Sequence, residues 1–217
     1  MQRLVALFTA LLLTLLTPLV VGATNHKAAL SVVHGVPDLA VDVYANGNRV
    51  LSNFTFGTVT DPLSLDPGTY ELAIRPAGAN PASAPVLSAK ATLQAGQNVS
   101  VVAHLDAQGK PRLSLFANDT STLASGKGRL IVRHTAQAPA VDVRAGGQVV
   151  FANLANPNEA KADVDAKTYS VDLVPAGQSQ VVFGPVDLPV AAGSATIVYA
   201  IGSLEGKSFR LVTQVIS

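Results

Sequence analysis

The sequence predicts an all-β fold: two tandem antiparallel β-sandwich domains, immunoglobulin- or prealbumin-like, behind an N-terminal signal peptide. Three observations carry this. First, the chain repeats itself: Ser31-Val-Val-His34 leads into Ala40-Val-Asp-Val43, and 100 positions later Ile131-Val-Arg-His134 leads into Ala140-Val-Asp-Val143. Thr69-Tyr70, Pro76-Ala77-Gly78 and Ala95-Gly96 recur as Thr168-Tyr169, Pro175-Ala176-Gly177 and Ala192-Gly193, the offset drifting from 100 to 99 to 97 as short loop deletions would make it. A unit of that length is a small domain, since solenoid repeats run about 20–50 residues. Second, apolar residues alternate with period two, the spacing of half-buried strands. Third, Gly, Pro, Asn and Asp break the pattern roughly every ten residues, as turns of a sandwich would.

In the first repeat, residues 28–117, Leu30, Val32 and His34 share one strand face and Val33 takes the other. Val41 and Val43 flank Asp42, which therefore faces away from them. Asn46-Gly47 is a strong two-residue hairpin signal, and Val50 to Phe56 returns as the next strand. Leu63 and Leu65, then Tyr70, Leu72 and Ile74, continue the alternation. Pro67-Gly68 makes a tight turn into Tyr70, whose hydroxyl is expected to bond back across the corner. Val86 to Leu93, Val99 to Ala103 and Leu113 to Leu115 complete an expected count of seven strands. The second repeat, residues 129–217, follows through Val149 to Leu154, Val171 and Leu173, Thr196 to Ile201 and Phe209 to Val215. Its corner carries Ala166-Lys167 where the first has Pro67-Gly68, so a looser turn is expected. Residues 118–128 are rich in Ser, Thr and Gly and predict a short flexible linker, with the domains as beads in a row.

The ends bound the setting. Arg3, the apolar run Leu4 to Val21 and the small residues Val21-Gly22-Ala23 read as a signal peptide cleaved after Ala23. Pro18 and the small-residue site argue against a retained anchor. With no cysteine, the domains are held by apolar interiors alone. Losing the leader removes Arg3 and no acid, leaving basic residues equal in number to the 14 acids. That balance argues against nucleic acid, which wants a basic stripe, and against anionic membrane after signal cleavage. No C-terminal sorting signal is apparent. The mature product is expected to be secreted, extracellular or held non-covalently at the cell wall.

Few residues suggest chemistry. His34 with Asp42, and His134 with Asp142, could form a metal site or a His–Asp dyad. Zinc wants three or four ligands, though, and the first repeat offers His34, Asp38 and Asp42, the second only His134 and Asp142. A repeated His–Asp partnership fits a structural staple better. His104 is matched by Ile201. Cysteine chemistry is excluded, and no Gly-x-Ser-x-Gly elbow occurs. Asp163 and Asp165 lack the ligand density of a calcium loop and read as a solvated turn. For sugar binding, Tyr44 and Phe56 are the free aromatic candidates, while Tyr70 and Tyr169 read as core. Three Asn-x-Ser/Thr triplets, including Asn53-Phe-Thr, read as chance. No catalytic residue, metal ligand or cofactor is assigned.

The segment Val32 to Tyr44, Val-Val-His-Gly-Val-Pro-Asp-Leu-Ala-Val-Asp-Val-Tyr, with Asn46-Gly47 and Leu65-x-Pro-Gly-x-Tyr70, resembles the bacterial domain-of-unknown-function family numbered 4397. The resemblance covers both repeats and so implies two tandem copies. It implies a β-sandwich and an envelope or extracellular setting, and brings no activity. The second repeat departs from the pattern at Gln137, Ala138 and Arg144.

The expectation is an exported, non-enzymatic envelope or extracellular interaction protein whose partner is a protein or polysaccharide. The Asn46-Gly47 and Gly146-Gly147 hairpins and the loops 77–85 and 177–180 are its candidate surfaces. A secreted carbohydrate-binding module is the alternative. A metal-dependent hydrolase using His34 or His134 with Asp42 or Asp142 stands behind both.

Overall fold

A computed structural model describes residues 26–217, and the expected signal peptide lies outside them. The described residues are all β, with four four-stranded sheets in two sandwich-like pairs. The first pair is built from β1 (Ala28–His34), β2 (Val41–Ala45), β3 (Asn48–Phe54), β4 (Leu63–Leu65), β5 (Gly68–Pro76), β6 (Leu87–Leu93), β7 (Asn98–Leu105) and β8 (Pro111–Ala117). The second is built from β9 (Lys127–His134), β10 (Val141–Ala145), β11 (Gln148–Leu154), β12 (Glu159–Asp165), β13 (Lys167–Pro175), β14 (Phe183–Val190), β15 (Ala195–Ile201) and β16 (Arg210–Ile216). Each half therefore has eight strands rather than seven, because Leu63–Leu65 and Gly68–Pro76 pair in different sheets.

The two halves share one topology. Sheet order is β4-β1-β7-β8 against β3-β2-β5-β6 in the first, and β12-β9-β15-β16 against β11-β10-β13-β14 in the second. β1 runs parallel to β7 and β9 parallel to β15; the remaining strand pairs are antiparallel. The sandwich interiors are aliphatic: Leu30, Val99, Leu72 and Leu93 cluster in one, Leu130, Val143, Leu173 and Val198 in the other.

Local chemistry sets the turns. Asn46 and Gly47 take φ of 49° and 78°, which closes β2 onto β3 as a two-residue hairpin. Gly146 and Gly147 repeat it at 56° and 79°. The Tyr70 hydroxyl donates to the Asp66 carbonyl at 2.8 Å, and Tyr169 to Asp165 at 2.9 Å. The second corner is thus closed by the same bond without Pro-Gly, and the looser turn expected there is not found.

The halves are not beads. Val33 and Val102, on the outer face of the β1–β7 sheet, pack into one cluster with Ile131, Ile197, Tyr199 and Ile201 on the outer face of the β9–β15 sheet. Four central strands are therefore buried on both faces, which explains their near-continuous apolar runs. The Tyr199 hydroxyl lies 2.8 Å from Ser100 Oγ, and Gln214 donates to Ser31 Oγ at 2.6 Å. Gly202 N–H donates to Gly35 O at 3.2 Å, a backbone bond between halves.

The expected flexible linker is clasped instead. Arg129 donates to Asp119 Oδ1 at 2.7 Å and Ser121 Oγ at 2.9 Å, while Lys161 reaches Asp119 Oδ2 at 2.6 Å. Those partners, Lys161 first, hold the Asp119 carboxyl well below the usual carboxylate range. Composition reads Ser and Thr as mobile. Here Arg129, only 6% exposed, takes such acceptors, since a buried guanidinium must be hydrogen-bonded.

Candidate functional site

The repeated His and Asp residues sit at corresponding places in the two halves and do corresponding work. His34 ends β1. Its Nδ1 accepts from Val36 N–H at 3.3 Å, so Nε2 carries the proton and donates to Leu39 O at 2.8 Å. His134 ends β9 and donates from Nε2 to Pro139 O at 3.0 Å. Both are 1% exposed, and burial pushes both imidazoles below their ordinary range. The acceptor is a backbone carbonyl, so the side chain at that position is free to vary. This is why Leu39 and Pro139 serve equally.

The structure does not bring His34 to Asp42, nor His134 to Asp142. The Asp42 carboxylate accepts from Asn53 N–H at 2.9 Å, Gly78 N–H at 3.3 Å and Arg49 at 3.3 Å. Asp142 accepts from Asn153 N–H at 2.7 Å and Gly177 N–H at 2.9 Å. These bonds, the Asn amide first, lower both carboxyl groups. Each Asp thus pins a β-bulge to a turn. Asn53 and Asn153 hold φ of 50° and 52°, a left-handed conformation that Asn tolerates. Gly78 and Gly177 belong to the repeated Pro-Ala-Gly. The sequence carries a signal for this: Asn53 and Asn153 are themselves 100 apart, so the repeat extends to the residues the two carboxylates hold.

The remaining candidates are accounted for in the same way. His104 donates from Nδ1 to Leu105 O at 2.9 Å and accepts from Ser114 Oγ at 2.8 Å. Asp38, at φ 61°, belongs to the β1–β2 turn. Asp163 forms a two-point pair with Arg129 at 2.7 and 2.9 Å, and Asp165 pairs with Lys127 at 2.7 Å. Both lie on β12, a strand rather than a solvated turn. Among the described residues no group of three or more His, Cys, Asp or Glu is arranged to hold a metal ion.

Neither aromatic sugar-platform candidate is presented to solvent as a platform. Tyr44 is 2% exposed, with Arg75 stacked 4.8 Å from its ring centroid. Phe56 packs into the cluster between the halves, with Arg210 over its ring at 4.3 Å. Tyr70 and Tyr169 pack against the two sandwich interiors, as expected.

Sequence reasoning missed Arg133 altogether. It is fully buried between the halves, donates to Glu159 Oε2 at 2.9 Å and Tyr199 Oη at 3.0 Å, and stacks 4.6 Å above Phe116. The arrangement is that of a structural cation: its guanidinium joins an ion pair, a hydroxyl and two rings from both halves.

The loops offered as surfaces are built firmly. Arg75 Nε donates to Ser83 O at 2.9 Å, and Asn80 Oδ1 accepts from Ala82 N–H at 2.9 Å, which orders the β5–β6 loop.

A family model described as a domain of unknown function (DUF4397) matches residues 28–144. Among solved structures the chain is similar to CBMbc, a family CBM26 module from Eubacterium rectale Amy13K, in complex with maltoheptaose. That likeness has 12% identity and a TM-score of 0.29, covering 87% of this chain and 96% of the other. No curated protein matches.

Proposed function

This chain belongs to the DUF4397 family of domains of unknown function, and from that premise we propose that it is an exported, non-enzymatic interaction protein. It acts at the envelope or outside the cell by presenting rigid loops to a protein or polysaccharide partner. The second half is a second copy of the same module, which its shared strand order and repeated His and Asp bonds support.

One observation carries the functional reading. The side chains that recur in both halves and could do chemistry spend their polar atoms on the chain's own backbone: His34 and His134 on carbonyls, Asp42 and Asp142 on amides. His34 has both ring nitrogens engaged, and His134 has its Nε2 proton engaged; with each ring 1% exposed, neither is open to solvent as a general base. What the scaffold stiffens instead is the two-residue hairpins and the β5–β6 and β13–β14 loops.

The test uses the mature chain immobilised and exposed to envelope extract containing both protein and cell-wall polysaccharide. Saturable retention of one partner, lost on substitution within loop 77–85 or at Asn46-Gly47, is the expected result. Turnover of a substrate abolished by a single change at His34 or His134, with the melting temperature intact, would overturn the proposal. Retention of polysaccharide alone would specify the sugar-binding form of the same reading.

A further inference from the structure

The two halves share a topology but distribute their interior space differently. Between the sheets of the second half lies an apolar cavity of about 220 Å³, lined by Leu130, Val132, Val143, Val171, Leu173 and Val198 among others. The corresponding space in the first half is divided: about 20 Å³ lies beside Leu30, Leu63 and Leu72, and about 200 Å³ lies at the other end, beside His34, Val41, Leu87 and Ala103. The registers show where the room comes from. Leu63 stands opposite Leu30 in the first half, and Ala162 stands opposite Leu130 in the second. Leu72 faces Ala45, while Val171 faces Ala145. Leu115 lies opposite Val101, and Thr213 opposite Val198. Leu63 and Leu72, which line the small space of the first sandwich, are thus cut back to methyl and isopropyl in the second, and the partly exposed Leu115 gives way to Thr213.

The edge strand widens the gap. β6 pairs with β5 without interruption, whereas β14 carries an extra residue between Val186 and Phe183 and slips in register against β13. Phe183 and Leu188 are larger than their counterparts Leu87 and Ala91, yet they line the cavity. Asp187 falls between Val186 and Leu188 on β14, so its carboxylate projects from the other face of the strand. Asp187 is nevertheless among the lining residues, and the other ionisable group there is His134, whose Nδ1 is buried without a partner. Its Nε2 is committed to Pro139, and burial keeps it neutral. A water needs two to four polar partners, which such walls do not supply.

We propose that this cavity binds a short aliphatic chain bearing an uncharged polar head, the tail between Val132, Val171 and Val198 and the head at Thr213. The tail chemistry is what the first half supplies from within, where Leu63 and Leu72 occupy the matching positions. An apolar cavity of about 150 Å³ accommodates benzene, so this one has room for roughly nine heavy atoms. Thr213 is exposed at the rim, where its hydroxyl can both donate and accept.

The test is a titration of the mature chain with 1-octanol, read by methyl chemical shifts of Val and Leu and by thermal melting. Saturable shifts concentrated on Val132, Val171, Leu173 and Val198, with a raised melting temperature, are expected. Refilling the space with the first half's own residues, Ala162→Leu with Val171→Leu, should weaken octanol binding about tenfold or more and raise the unliganded melting temperature. Thr213→Val should weaken octanol while leaving the binding of an alkane of equal length unchanged. Shifts that do not saturate, that fall on the first half or the surface, or that persist in the refilled variant would overturn the proposal. If the refilled variant does not fold, the location of the wild-type shifts decides alone.

Discussion

Ile197→Ala tests whether the two halves unfold as one body. Ile197 lies on β15, is fully buried, and belongs to the cluster that joins Val33 and Val102 of the first half to the second. Its removal leaves a void walled on both sides by hydrogen-bonded sheets, which relax poorly. Ile→Ala in such a site costs about 2–5 kcal/mol, and about 3 kcal/mol is a fair central value. A chain of this length loses about 2–4 °C per kcal/mol, so the melting temperature should fall by about 6–12 °C. The decisive readout is where the loss is felt. If the halves form one cooperative unit, calorimetry of the wild type shows a single endotherm and the variant moves all of it. Amide exchange in β1 and β7, which are remote in sequence from the substitution, should then accelerate about a hundredfold, since about 1.4 kcal/mol is a factor of ten. Two resolved endotherms of which one moves, or unchanged protection in β1 and β7, would refute the shared core.

Other consequences follow from single residues. Gly35→Thr, which installs the residue the second half carries at Thr135, should destabilise the protein by about 1–3 kcal/mol. A Cβ at Gly35 would lie 2.9 Å from Ala103 O and 3.0 Å from Ile201 Cγ2, so a denaturation midpoint unchanged by this substitution would contradict the close approach of the halves. Tyr199→Phe should cost about 1–3 kcal/mol in urea unfolding, because it strips a partner from Ser100, Gln214 and Arg133 in a buried site. Acidification should destabilise the fold before any carboxylate titrates. Burial holds His34, His104 and His134 below their ordinary 6.5, so they stay neutral when folded and take up protons when unfolded. Stability is complete above pH 6.5 and falls below it by up to about 1.4 kcal/mol per pH unit for each histidine; a melting temperature flat from pH 7 to 5 would contradict this. Asp142→Asn should lower the melting temperature and speed exchange at the Asn153 and Gly177 amides, and activity-like readouts should not be needed to see it.

The legible part of the fold was the part written locally. Asn46-Gly47 and Gly146-Gly147 require left-handed turns, and the corner tyrosines recur at their stations, so hairpins and corners could be placed from residues alone. The repeat placed His34 beside His134 and Asp42 beside Asp142 in kind. It could not show that each partner is a backbone atom, because backbone donors and acceptors leave no mark in side-chain spacing. The supposed dyad dissolved for that reason. Arg133, Ser121 and Asp119 were unreadable for another: a charged or hydroxylated side chain looks like surface until its burial is known.

The buried faces do leave one mark along the chain. Val-Ser-Val-Val-Ala-His in β7 and Ala-Thr-Ile-Val-Tyr-Ala-Ile in β15 hardly alternate at all. A strand with one wet face alternates, and a strand apolar throughout has two dry ones. The all-β class, the internal sequence repeat and the turns were readable from the residues, because period-two patterning and left-handed φ are properties of neighbours along the chain. The pairing of the halves across a buried face, the clasp on the linker and the uneven distribution of space between the sheets are not readable along the chain. Those depend on which surfaces meet and how side-chain volumes sum across sheets, and residues up to 183 positions apart settle them together.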